Sequence, residues 1–269
     1  MKRPTDTKPQ SIDWDWLRGE IRAASAGFAD QLRLVPDGSV KVPNLDWDVR
    51  GLAAHLVTLP DFYQELNDRD EPFVAPDDWA AFSRQARAHL DDVDTATLAD
   101  RLEPEVESLL AALGDDGDRP WKLYLETTAA KVGAGLLSEL LLHGRDLAPL
   151  TGAEVEITER QCHAIIAAMM TLAPFFVDRE AGRRCPGVYH LKFRGGNDYT
   201  YRMDDGLLTV EEGRPDRPDC HMVADPVAFV LVAMGRMSQA RAGLTGKMMA
   251  YGRKPWKLVP LGKVMAEGV

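Results

Sequence analysis

The sequence predicts two folded parts in tandem: a four-helix bundle over residues 12–152 and a small α+β domain over residues 158–269, in which helices accompany an antiparallel sheet. Three observations carry this. Apolar residues recur at helical spacing up to about residue 176 and then alternate at strand spacing. Residues 1–150 hold 28 acidic and 16 basic side chains, a net −12, whereas residues 151–269 hold 14 and 16, a net +2. Nine of the ten methionines follow residue 168.

The first helix is expected over residues 12–34, where Ile12, Trp16, Leu17, Ile21, Ala24, Phe28 and Leu32 repeat at helical spacing. Pro36 to Asn44 reads as a loop. Asp46 or Asp48 can cap a second helix through Val49, Leu52, Leu56 and Leu59. A third helical region spans residues 77–113, with Phe82, Leu90, Leu98, Leu102 and Leu109, and Pro104 is expected to break it. After a polar turn at Gly114 to Pro120, an apolar helix runs from Thr127 to Leu147 and is ended by Pro149 and Gly152. Thr158 and Gln161 have the spacing of a capping box, opening a fifth helix through Ile165, Met169, Leu172 and Phe176. Strands follow at Tyr189–Phe193 and Tyr199–Met203, joined by the turn Gly195-Gly196-Asn197, then at Leu207–Val210 and His221–Ala224. Short helices at Pro226–Met234 and Ser238–Gly243, a strand at Lys247–Tyr251 and a closing helix at Pro255–Met265 complete the chain.

Composition bounds the function. The chain has 269 residues, 45% of them hydrophobic and 28% charged, as in a globular protein with a core. A net charge of −10 disfavours a nucleic-acid or anionic-membrane binder. Met1 to Gln10 is polar and lacks the apolar stretch of a signal peptide, so the expected location is the cytoplasm. Cys162, Cys185 and Cys220 are odd in number and far apart, which fits small buried residues rather than disulfides or a zinc knuckle.

The chemistry-bearing residues sit where charge is costly. The helix Thr127–Leu147 is apolar on nearly every side, yet carries Glu139 and His143 four apart on one face, with Asp146 three further on. A carboxylate in such a helix needs a partner or a metal. His55 lies in a comparable setting between Ala54 and Leu56, so two imidazoles and a carboxylate converge if the two helices face each other. Three protein ligands with one open position is the arrangement of catalytic zinc sites. Spacing alone leaves a metal site and a hydrogen-bonded buried pair both open. Glu159 and His163 share the spacing, but Glu159 is explained by the positive end of its own helix. His89, beside Asp91 and Asp92, reads as part of a solvated face, His190 as a strand residue and His221 as packing. Arg236, Arg241 and Lys247 read as solvated surface ahead of an anionic-substrate patch, and Met222, Met234, Met237, Met248 and Met249 as core filling ahead of the lining of an adaptable apolar cavity.

Two segments resemble a known family. Trp47-Asp-Val-Arg-Gly-Leu-Ala-Ala-His55-Leu and Glu139-Leu-Leu-Leu-His143-Gly-Arg-Asp146-Leu-Ala are similar, in order and separation, to the two motifs of the mycothiol-dependent maleylpyruvate isomerase family, within the DinB-like superfamily of metal-binding helical bundles. Gly144-Arg145 stands where an aromatic residue is common in that family. The resemblance implies that His55, Glu139 and His143 are zinc ligands and that the thiol of mycothiol takes the open position. The resulting thiolate would attack a small electrophile, either isomerising it by addition, rotation and elimination or being transferred to it. Asp146 would orient His143 or cap the helix, Arg50 would hold a carboxylate of thiol or substrate, and Trp47 would flank the thiol. The residues themselves also suit iron(II), nickel or cobalt. From Asp225-Pro-Val-Ala-Phe-Val-Leu to Gly235-Arg-Met, and from Leu244-Thr-Gly-Lys247 to Gly252, the chain resembles sterol-carrier-like domains. That second likeness implies a rival function, an apolar-ligand carrier of lipid or sterol type whose bundle is only structural.

Overall fold

The computed structural model describes residues 11–69, 88–90, 92–262 and 264. The side chains of Phe82, His89 and Met265, and the polar segment Met1 to Gln10, lie outside them. The chain divides into two compact units, one from Asp13 to Ala168 and the other from Met169 onward, and the division falls inside a helix.

The first unit is built on four long helices: α1 (Trp14–Arg33), α2 (Val49–Asp68), α3 (Thr95–Leu113) and α4 (Ala129–Thr151). Each of the first three begins where an aspartate accepts a backbone N–H in the opening turn, Asp13 from Trp16, Asp48 from Gly51 and Asp94 from Thr97. α4 ends at Gly152, whose φ of 71° is a left-handed conformation that glycine adopts without strain. Helix α1 packs on α3 and α4, and α2 packs on the same two, so the four close into a ring around Leu17, Ile21, Phe28, Leu52, Leu56, Leu102, Val106, Leu136 and Leu140. The α1–α4 contact is close. A Cβ at Gly133 would lie 2.7 Å from Cζ3 of Trp14, so the indole rests on bare backbone.

Two prolines expected to end helices lie inside them. Pro104 is within α3 and Pro149 within the last two turns of α4. Proline removes the bond to the carbonyl four residues earlier, and those carbonyls belong to Asp100 and Arg145, both exposed to water. Of the third helical region, the described part is a 3₁₀ turn at Ala88–Leu90 followed by α3. Between α3 and α4 lies an unforeseen hairpin, β1 (Pro120–Lys122) against β2 (Glu126–Thr128), whose buried Trp121 donates its indole N–H to the Tyr63 carbonyl at 3.3 Å. Helix α5 (Glu159–Leu172) opens on a reciprocal capping box: Gln161 N–H donates to Thr158 Oγ1 at 3.3 Å, and Thr158 N–H donates to Gln161 Oε1 at 2.8 Å. It ends at Leu172, short of Phe176.

The second unit contains α6 (Arg179–Arg183) and a five-stranded sheet: β3 (Gly187–Phe193), β4 (Asp198–Asp204), β5 (Leu207–Glu212), β6 (Cys220–Ala224) and β7 (Met248–Tyr251), in the order β5-β4-β3-β6-β7. The sheet is mixed rather than wholly antiparallel, because β6 pairs parallel to β3. The segment from Gly213 to Asp219 runs back along the sheet, from the Asp198 carbonyl beside the end of β3 to the Val188 carbonyl at its start, so β6 enters in the direction of β3. Helices α7 (Pro226–Ala233) and α8 (Gln239–Leu244) separate β6 from β7. The expected closing helix is shorter, a 3₁₀ turn at Pro255–Lys257 and α9 (Leu258–Leu261). Tyr189, Leu191, Phe193, Tyr199, Tyr201, Met203 and Met222 are buried, as are the three cysteines, all free thiols. Among the described residues no helix is long and apolar enough to cross a membrane.

Candidate metal centre

The α2–α4 contact of the first unit brings together side chains that lie 84 residues apart in the chain. Nε2 of His55 is 3.3 Å from Oε2 of Glu139, and Nε2 of His143 is 3.2 Å from the same oxygen. The imidazoles stand edge to face, 5.5 Å apart at 86°. The three ligand atoms lie within 4.8 Å of one another, and among the described residues no other such group of three occurs. His55 and His143 are 4% and 8% exposed, and the Glu139 side chain, at 28%, is the most accessible of the three.

Local structure fixes each member. The i, i+4 spacing on α4 stacks Glu139 under His143, and Asp146, three further on, brings Oδ2 to 3.1 Å from His143 Nδ1. Asp146 accepts at the Nδ1 side of His143, which turns Nε2 toward Glu139 and makes Nε2 the nitrogen that would face an ion. On α2 the Asp48 cap sets the first turn, and the preceding strand-like bridge from Lys41 to Asp48 holds Trp47 back over the helix. Its indole lies 5.0 Å from the His55 ring and 6.0 Å from the His143 ring, forming an aromatic wall.

The electrostatics favour charge on Glu139. Burial alone pushes its carboxyl up, but hydrogen bonds from His143 and then His55 outweigh burial and hold it well below the usual carboxylate range. The phenol of Tyr63, two turns after His55, is driven upward by burial and then by the Glu139 charge, so it stays protonated. A Cβ on Gly135, one turn before Glu139, would sit 3.7 Å from the Tyr63 hydroxyl, which locates that hydroxyl against α4. Tyr63 was not singled out from sequence, although its i+8 spacing from His55 on an apolar helix was the available signal.

The donor set suits a divalent ion. With metal–ligand bonds of about 2.0–2.1 Å, the edge of a tetrahedron is about 3.3 Å, close to the 3.3 and 3.2 Å measured here. The Asp146–His143 bond is the carboxylate support that ligating histidines commonly have. Thus Trp47, His55, Glu139, His143 and Asp146 stand together. Arg50 is five residues before His55, about 140° away round the helix. Its backbone N–H meets the Gly38 carbonyl at 2.9 Å, and the Asp37 carboxyl is held low first by Ser39 and in smaller part by Arg50. Glu159 is exposed in the first turn of α5, as its helix-end explanation requires.

No curated protein sequence matches the chain. Among solved structures, a mycothiol-dependent maleylpyruvate isomerase is 16% identical with a TM-score of 0.50, covering 89% of this chain and 93% of that one. A histidine-to-alanine mutant of that enzyme gives the same identity and coverage at a TM-score of 0.51. A sterol carrier protein 2-like 2 from Aedes aegypti is 17% identical with a TM-score of 0.34, covering 40% of this chain and all of that one. At such identities the isomerase structures show a shared fold. The family model of the mycothiol maleylpyruvate isomerase N-terminal domain matches residues 18–148, a segment that contains α2 and α3, most of α1 and α4, and every residue of the cluster. The helical part of the chain is thus a mycothiol maleylpyruvate isomerase N-terminal-type domain, and the structural likeness over most of the chain shows a shared fold.

Proposed function

We propose that the protein is a cytoplasmic, metal-dependent enzyme that uses a small thiol, mycothiol, to isomerise or S-conjugate a small electrophile, with zinc as the ion. The observation that carries this reading is the approach of His55, Glu139 and His143 to one another on two facing helices. An ion held there supplies a Lewis acid that lowers the pKa of a bound thiol and delivers it as a thiolate.

The remaining work falls to the chain's own side chains. His143 and His55 offer neutral nitrogens, and Glu139 offers the one negative charge, which leaves a divalent site with residual positive charge to attract a thiolate. Asp146 accepts from His143 Nδ1 and so would orient the ring with Nε2 toward a bound ion. Trp47 shields both rings from water on one side, and Tyr63 keeps its proton beside Glu139, available as a hydrogen-bond donor. Arg50, on the Gly38 side of α2, serves the N-terminal end of that helix in this reading rather than the reacting atoms.

The test is metal content by plasma mass spectrometry on the untagged protein, its His55→Ala variant and its Glu139→Gln variant. Near-stoichiometric zinc in the wild type and its loss from both variants is expected. Thiol-dependent turnover of electrophiles is then measured with and without mycothiol. Wild-type protein that holds no divalent ion after zinc is offered and excess removed overturns the reading.

A further inference from the structure

The five-stranded sheet carries a second cluster of titratable side chains, on the face opposite Tyr189, Leu191 and Phe193. Strand pairing sets His190 of β3 beside His221 of β6, and His221 beside Tyr251 of β7. His190 is only 2% exposed, although Val188 and Lys192, its neighbours along that face, are not buried. Its Nε2 is 3.0 Å from Oδ2 of Asp198, and its Nδ1 is 2.9 Å from Nδ1 of His221. The His221 ring lies parallel to Tyr251, with centroids 4.7 Å apart and planes 6° from parallel. The cluster is a hydrogen-bonded chain rather than the simple strand packing expected of these two histidines.

Proton positions follow from the partners. The Asp198 carboxylate accepts, so His190 carries its proton on Nε2 and accepts at Nδ1. The contact between the two Nδ1 atoms then requires the proton on His221. His221 Nε2 is left with a bare lone pair, and among the described residues no donor meets it. Gly252, at φ +115°, passes along this edge, and a Cβ there would stand 3.2 Å from His221 Cδ2, next to Nε2. Glycine therefore keeps the nitrogen approachable. The exposed Arg214 follows Gly213, whose N–H meets the Asp198 carbonyl at 2.7 Å, so its guanidinium stems from backbone beside the Asp198 end of the cluster.

We propose that Asp198, His190 and His221 form a second, metal-independent catalytic centre for acyl transfer, with His221 Nε2 as nucleophile and small activated esters bearing an anionic group as substrates. The Nε2 lone pair bonds to the acyl carbon, and the bond to the ester oxygen breaks, so the alkoxide or phenolate leaves with the electron pair. The Nδ1 proton of His221 passes to Nδ1 of His190, and the imidazolium so formed is paired with Asp198. Water then adds its hydroxyl to the acyl group and gives its proton to the departed oxyanion. His190 returns the proton to His221 Nδ1 as the bond to Nε2 breaks, so one ester and one water become one acid and one alcohol. Arg214 holds the anionic group.

The test uses the full-length protein at neutral pH, in the presence of a chelator, with 4-nitrophenyl acetate and its anionic counterpart 5-acetoxy-2-nitrobenzoate. Peptide mass spectrometry should find the acetyl group on His221, and the chelator should leave the rate unchanged. His221→Gln should slow phenolate release by about 100-fold or more, as loss of a positioned acid–base or nucleophilic group does. Asp198→Asn should slow it by about 10-fold, and Arg214→Ala should raise KM for the anionic ester alone. Acetyl found only on other residues, or a folded His221→Gln protein with the wild-type rate, overturns the proposal. Nitrogen-resolved NMR of the wild-type imidazoles tests it without mutation: His221 should be the Nδ1–H tautomer, and an Nε2–H tautomer overturns it.

Discussion

Gly133 and Gly27 are both helical glycines, and the structure gives them opposite signs on replacement by alanine. In a helix interior alanine is favoured over glycine by about 1 kcal/mol, partly because glycine loses more freedom on folding. At Gly27, exposed on α1, a Cβ meets nothing within 4 Å, so Gly27→Ala should gain about 0.5–1 kcal/mol. At Gly133 the new Cβ would fall 2.7 Å from Trp14 Cζ3 and 3.1 Å from Ile21 Cδ1. Trp14 is buried and cannot swing away without disturbing the 3.0 Å bond from its indole N–H to the Gly114 carbonyl. Overpacking of this kind costs about 1–3 kcal/mol and a strained hydrogen bond about 1 kcal/mol more. Set against the helix preference, the net loss is about 1–3 kcal/mol, so sterics outweigh propensity. Urea unfolding of the two variants, followed by far-ultraviolet circular dichroism, measures both signs in one experiment. Gly133→Ala as stable as Gly27→Ala would refute the claim that the indole rests on α4 backbone.

Asp146→Asn should lower zinc affinity about 10–100-fold, measured by chelator competition, because the amide weakens the hold on the His143 tautomer; an unchanged affinity would place Asp146 outside the site. The pKa values of His190 and His221 are both pushed down, chiefly by burial, with Asp198 opposing at His190 and the His190 and Arg214 charges adding at His221. A histidine lowered in the folded state binds its proton more readily when unfolded, so their contribution is present above pH about 6.5 and is lost as pH falls below it. Unfolding of the second unit should therefore become easier between pH 7 and 5, and replacing both with Gln should flatten that slope; an identical slope refutes the assignment. Gln161→Ala removes one arm of the α5 capping box and the 2.6 Å bond to Glu20, and should cost about 1–2 kcal/mol in the same urea assay.

What the chain reveals before folding depends on how local the cause is. The α2 start, the α5 capping box and the β3–β4 hairpin rest on contacts within a few residues, and they stand where spacing and turn residues put them. The Glu139–His143–Asp146 stack is equally local, since one helix builds it. The approach of His55 and Trp47 needs the α2–α4 packing, which apolar spacing suggests but does not compel. Prolines 104 and 149 misled because their helix-breaking cost depends on whether the freed carbonyl meets water, a property of exposure rather than of residue type. The parallel β3–β6 pairing and the two Nδ1 atoms of His190 and His221 face each other across 31 residues, and a period of two in each strand carries no information about which strand becomes its neighbour.

The closed ring of helices has a consequence for synthesis. Helix α1 packs on α3 and α4, and α2 on the same pair, so every interface of α4 waits for the last of the four helices to leave the ribosome. That helix also delivers Glu139, His143 and Asp146. Until then His55 and Trp47 sit on a growing chain with no carboxylate to meet. Bundle closure and assembly of the cluster are thus one event, and a chain released before residue 143 has neither.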